Sequence, residues 1–176
     1  MYSLELNLSK KSLSLAFFLS LICFLLSPLL LPKLKLFFFS PFLVILLYQK
    51  NKMTAVCGAL FCGLMSDLFS VNEELPLFGL GFCLALLLLY DQRQHFFGDS
   101  ISTLPIMVYF FGVLSTLLLG VLQETLLKQP QFSLKWLAYD AFLFPLADAT
   151  YAFCFFILPA LIFGKRQRRG SEYFSG

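Results

Sequence analysis

Three aspartates set in otherwise apolar stretches, Asp67, Asp140 and Asp148, are the residues of this chain whose types could do chemistry. An ionised carboxylate in hydrocarbon costs about 2.5–3.5 kcal/mol on insertion scales, so it needs a partner or a wet neighbourhood. Two carboxylates that share one proton can activate water for hydrolysis. The same groups also serve as polar braces between helices. A brace is worth only about 0.6 kcal/mol per contact on average, so it orients helices more than it stabilises them. Contact with a partner protein, and passage of an ion or solute, are the other two readings. Asp67 lies in the apolar run Met53 to Ser70 and is followed by a glycine-bearing turn, GLMSDLFSVNEELPLFGLG from Gly63 to Gly81.

The elements that must position these acids are helices. Six apolar segments fit: Ser12–Leu31, Leu34–Tyr48, Met53–Ser70, Leu75–Tyr90, Ser100–Gln123 and Trp136–Phe163. A membrane span takes about 20 residues, so the second and fourth are short. Pro41 falls inside the second and predicts a kink there, with a re-entrant pair as the alternative. Counting basic residues between segments gives nine on one side (Lys10, Lys11, Lys50, Lys52, Arg93, Lys165, Arg166, Arg168, Arg169) and four on the other (Lys33, Lys35, Lys128, Lys135). The excess belongs in the cytoplasm, which puts both termini there. The third helix then runs outward and places Asp67 about 21 Å along it, while Asp140 and Asp148 stand about 6 and 18 Å below the outer surface. Asp140, Phe144 and Asp148 share one stripe at a spacing of four. Asp67 and Asp140 come out at similar depth, near Glu124, with Lys128 or Lys135 able to snorkel toward them.

Composition sets the class. Of 176 residues, 59% are hydrophobic and 13% charged, against about 25% charged in soluble domains. The expectation is an all-α, polytopic helix bundle of about six transmembrane helices. It forms a single integral membrane domain over residues 1–176, with a short cytoplasmic amino terminus and a basic tail at 165–176 that meets the lipid bilayer. A net charge of +3 is too small to point to nucleic acid. The cysteines, Cys23, Cys57, Cys62, Cys83 and Cys154, all lie in apolar runs and read as small packing residues. With no C-x-x-C and a lone His95, neither a metal nor a cofactor is expected. Ala55, Gly58, Ala59 and Gly63 form a small-residue face that permits close helix approach.

The run Ser40-Pro41-Phe-Leu-Val-Ile-Leu-Leu-Tyr48, the basic loop with Lys50 and Lys52, then Gly63-Leu-Met-Ser-Asp67 and Leu77-Phe-Gly79 resembles the rod shape-determining protein MreD family. The resemblance is concentrated in residues 40–90. Asp148 and Pro159 stand where that family often has Asn and Pro, and Glu73 and Glu74 fall outside its pattern. The resemblance implies a non-enzymatic component of the bacterial cell-shape machinery in the cytoplasmic (inner) membrane, directing lateral peptidoglycan synthesis. Its implied partners are MreC and, indirectly, MreB and the cell-wall polymerases. Gly63, Asp67 and Gly79 are the motif positions, with Asp67 a structural or partner-contact residue rather than a catalyst.

Two other families offer alternatives. Solute-binding subunits of energy-coupling-factor transporters are six-helix proteins of this size, but their A-x-x-x-A docking face is missing from a first helix that has only Ala16. The element Phe144-Pro-Leu-Ala-Asp148 resembles that of prolipoprotein signal peptidase, a membrane aspartyl protease, with Asp67 as the second acid. Pro145 stands there in place of an Asn, and the estimated depths of the two acids differ by about 9 Å.

Overall fold

The computed structural model describes residues 13–30, 37–69, 77–92, 103–128 and 136–158, and among these it is helical with no strand. The amino-terminal residues, Glu73 and Glu74, His95, and the basic tail lie outside the described residues. Helix α1 covers Leu13–Leu30, α2 Ser40–Gln49, α3 Lys52–Phe69, α4 Leu77–Gln92 and α5 Thr103–Leu127. The last segment, α6, is continuous over 137–157: a wide π-helical opening, Leu137–Leu143, an α-helical middle, Phe144–Ala152, and a π-helical close, Phe153–Ile157. Three helices are long and apolar enough to cross a membrane: Lys52–Phe69, Thr103–Leu126 and Ala138–Ile157.

Helix α2 is the core of the molecule. Ten residues rise about 15 Å, half the thickness of a bilayer's hydrocarbon. Eight of its residues, Ser40 to Leu47, are buried, as expected of a helix that is apolar all round. It packs against α1, α3, α4 and α5. Pro41 does not kink a span, as the sequence suggested. It sits in the first turn of α2, where its missing N–H has no intrahelical role and its fixed φ suits a helix start.

After α2 the chain turns within Lys50 and Asn51 and returns as α3. The small residues of α3 do what their spacing implied: Ala55, Ala59, Cys62 and Gly63 are its buried positions. Gly58 lies so close to the Leu46 side chain of α2 that a methyl there would displace it. Helices α3 and α4 form the tightest pair, with the Cys83 thiol 3.6 Å from the Val56 carbonyl oxygen. Their shared end is tied by Lys52, which lies 3.7 Å from the Asp91 carboxylate and 5.6 Å above the Tyr90 ring. Both partners of that ion pair are exposed, so the pair adds little to the stability of the hairpin.

Some of the phenylalanines that the sequence scatters through its helices form a ring cluster between α2, α4 and α5. Phe37 meets Phe82 edge-on at 5.3 Å and Phe78 at 6.3 Å, and Phe82 contacts Phe111 at 5.6 Å. This cluster joins the start of α2 to α4 and α5. Helix α5 also closes on α6, where Gly112 abuts Pro145.

Candidate functional site

The first turn of any helix leaves four N–H groups without intrahelical acceptors. In an apolar surrounding these must be met from elsewhere. Helix α4 begins inside the packed region, and Asp67 meets it. The two carboxylate oxygens of Asp67 accept from the Phe78 and Gly79 amides, each at 3.0 Å. The negative charge faces the positive end of the α4 dipole, a favourable placement. Gly63 stands one turn before Asp67 and lets the backbones touch. A Cβ on Gly63 would come within 2.6 Å of the Gly79 nitrogen and 2.7 Å of the Phe78 carbonyl oxygen. Gly63, Asp67 and Gly79 thus form one unit at the crossing of α3 with α4.

Asp148 also accepts from a backbone amide, but in the turn that precedes α2 and not in the helix itself. Its Oδ1 accepts from the Phe37 amide at 3.0 Å, across 111 residues of sequence. Phe37 itself opens the turn into α2, its carbonyl accepting from the Ser40 amide at 2.8 Å. Asp148 is 0% exposed, and its Oδ2 has no hydrogen-bond partner. Because the Phe37 ring packs on Phe78, the turn leading into α2 and the start of α4 are neighbours.

Around Asp148 the structure adds residues that the sequence did not single out. Tyr151 follows one turn later on α6, and its buried hydroxyl faces Ser20 and Cys23 of α1 without a hydrogen bond of good geometry. Ser20 Oγ and Ser40 Oγ are also buried without partners. Nothing local in the sequence flags them. The only signal is the i, i+3 spacing of Asp148 with Tyr151 and of Ser20 with Cys23, and it is common in any helix.

Asp140 is placed differently. It lies in the π-helical opening of α6 and is half-exposed, whereas Asp148 is fully buried. Glu124 is exposed near the far end of α5. Asp148 is linked to the Asp67 unit through Phe37, whose ring packs on Phe78.

Chemically, this arrangement holds the start of α4 and the turn that leads into α2. Three of the four oxygens of Asp67 and Asp148 are taken by backbone amides. Among the described residues, no group of three or more His, Cys, Asp or Glu is placed to hold a metal ion.

The Phe37 bond makes a separable prediction. Asp148→Asn keeps an acceptor for that amide and should stay within about 1 kcal/mol of the wild type. Asp148→Ala orphans the amide and should cost about 1–3 kcal/mol. Denaturant titration of the detergent-solubilised chain reads both. Equal losses for the two variants would mean that the bond does not hold α2.

No family model matches this sequence, and no curated protein or solved structure is significantly similar to it.

Proposed function

We propose that this chain is a non-enzymatic, multi-pass scaffold of the bacterial cell-elongation machinery, of the MreD type, seated in the cytoplasmic membrane with both termini inside. The observation that carries the reading is the unit at the α3–α4 crossing. The three positions singled out by the resemblance, Gly63, Asp67 and Gly79, meet there as one close-packed, hydrogen-bonded contact. Used in this way, the Asp67 carboxylate fixes the relation of two helices, which is what a surface that receives a partner's transmembrane segment requires. The aspartyl-protease alternative loses ground on the same geometry. A catalytic pair needs carboxylate oxygens turned toward a shared proton and a water, and both oxygens of Asp67 are turned to backbone amides.

The test is affinity purification of the tagged chain from mild detergent, with co-purifying proteins identified by mass spectrometry. Recovery of MreC and wall-elongation enzymes is the expected result. Recovery of transporter ATPases in their place would overturn the scaffold reading in favour of a solute-binding transporter subunit.

A further inference from the structure

We propose that Cys57 of α3 and Cys83 of α4 form a peroxide-oxidisable thiol pair whose disulfide ties the two helices together, a feature independent of the scaffold reading. Both thiols are free; Cys57 is exposed and Cys83 half-buried. The Cys83 sulfur lies 3.6 Å from the Val56 carbonyl oxygen. That carbonyl is bonded to the Cys57 nitrogen, and planar peptide geometry puts its oxygen about 2.8 Å from the Cys57 Cα. The Cys83 sulfur is therefore no more than about 6.4 Å from that Cα. A cysteine's own sulfur stands about 2.8 Å from its Cα, so rotation of the Cys57 side chain covers much of the remaining gap. The two thiols are also within electrostatic reach of each other. Backbone spacing permits the bond. Disulfides need Cα atoms about 4.4–6.8 Å apart, and small residues bring helix backbones that close. Gly63 abuts Gly79 in this same helix pair, and Cys83 stands one turn beyond Gly79 on α4.

Access is the second line. Cys57 stands about 7.5 Å along α3 from Lys52, whose exposed side chain pairs with Asp91 at that end. Thr54, between them in sequence, is exposed as well. Hydrogen peroxide is small and uncharged, and it reaches a thiol at that depth from the polar end of the helix. Cys62, the other cysteine of α3, is fully buried. An accessible thiol beside a resolving one is the arrangement of reversible redox sensors. In the first step the Cys57 sulfur attacks peroxide. An S–O bond forms as the O–O bond breaks, and water leaves with the thiol proton. The Cys83 sulfur then attacks the sulfenic sulfur, so that the S–S bond forms and the S–O bond breaks to release a second water. The two thiols give up two electrons and two protons, which reduce one peroxide to two waters. Asp67 already fixes α4 near the other end of α3, so the disulfide holds the hairpin at a second level.

The experiment treats the full chain, purified in detergent, with hydrogen peroxide and then blocks the remaining thiols with a maleimide. A glutamate-specific protease next cleaves after Glu73 and Glu74, which lie between Cys57 and Cys83 in sequence. The two fragments stay together on a non-reducing gel only if a disulfide links them. The expected result is linked fragments at every protein concentration, separated by dithiothreitol. Cys57→Ser and Cys83→Ser should abolish the linkage, whereas Cys62→Ala and Cys23→Ala should retain it. Separate fragments from the peroxide-treated wild type would overturn the pair. So would linkage that survives Cys57→Ser, which would make another cysteine the partner, and so would linkage that forms only between chains.

Discussion

Replacing Asp67 with alanine is expected to destabilise the chain by about 2–6 kcal/mol, because it orphans two amides at a cost of about 1–3 kcal/mol each. Those amides belong to Phe78 and Gly79 in the first turn of α4, and both Asp67 oxygens are engaged with them. Lipid offers no substitute acceptor for those amides. Asp67→Asn should fall between, since its amide keeps one acceptor and turns a donor toward the second N–H. Denaturant titration orders the three proteins, and amide exchange localises the effect to the start of α4. If exchange there is unchanged in Asp67→Ala, the carboxylate is not holding this helix. The same variant should reach the membrane in normal amount yet recover less partner in the affinity experiment. Unaltered recovery together with normal cell shape would remove Asp67 from the proposed mechanism.

The second large effect is expected at Gly63. A methyl there would press on the backbone of α4, at the Gly79 nitrogen and the Phe78 carbonyl oxygen. Backbone cannot rotate aside as a side chain can, so Gly63→Ala must push the helices apart. Overpacking of this kind costs about 1–3 kcal/mol. The shift also withdraws Phe78 and Gly79 from Asp67, so much of the capping energy goes with it. Gly79→Ala is the control. Its new Cβ would stand 3.6 Å from a Leu64 methyl and 3.7 Å from the Asp67 oxygen, ordinary contact distances. That substitution should be neutral or slightly stabilising, given the better helix propensity of alanine. The combination Asp67→Ala with Gly63→Ala should cost less than the sum of the two, as residues acting in one unit do. Equal losses at Gly63 and Gly79, or simple additivity, would show that the crossing is not built as described.

The local readings and the tertiary ones divide along a physical line. Helix positions follow from hydropathy along the chain. For α3 the apolar run Met53–Ser70 differs from the observed Lys52–Phe69 by one residue at each end. The turn that brings Asp67 back to Gly79 is short enough for its spacing to be visible in the sequence as a motif. The burial of Ala55, Ala59 and Gly63 was legible for the same reason, since small residues at helical spacing need no distant information to read as a contact face.

What the sequence alone could not determine is where α2 sits and what Asp148 touches. Apolarity all round says that α2 is buried, not that it is enclosed by four other helices. The Asp148 bond to Phe37 joins residues 111 apart, and no periodicity links two segments at that distance. Hydropathy and spacing therefore determined which segments are helices and which residues face a near neighbour. Tertiary packing decided that Asp148 is linked to the Asp67 unit, because only the assembled bundle places the turn into α2 beside the start of α4.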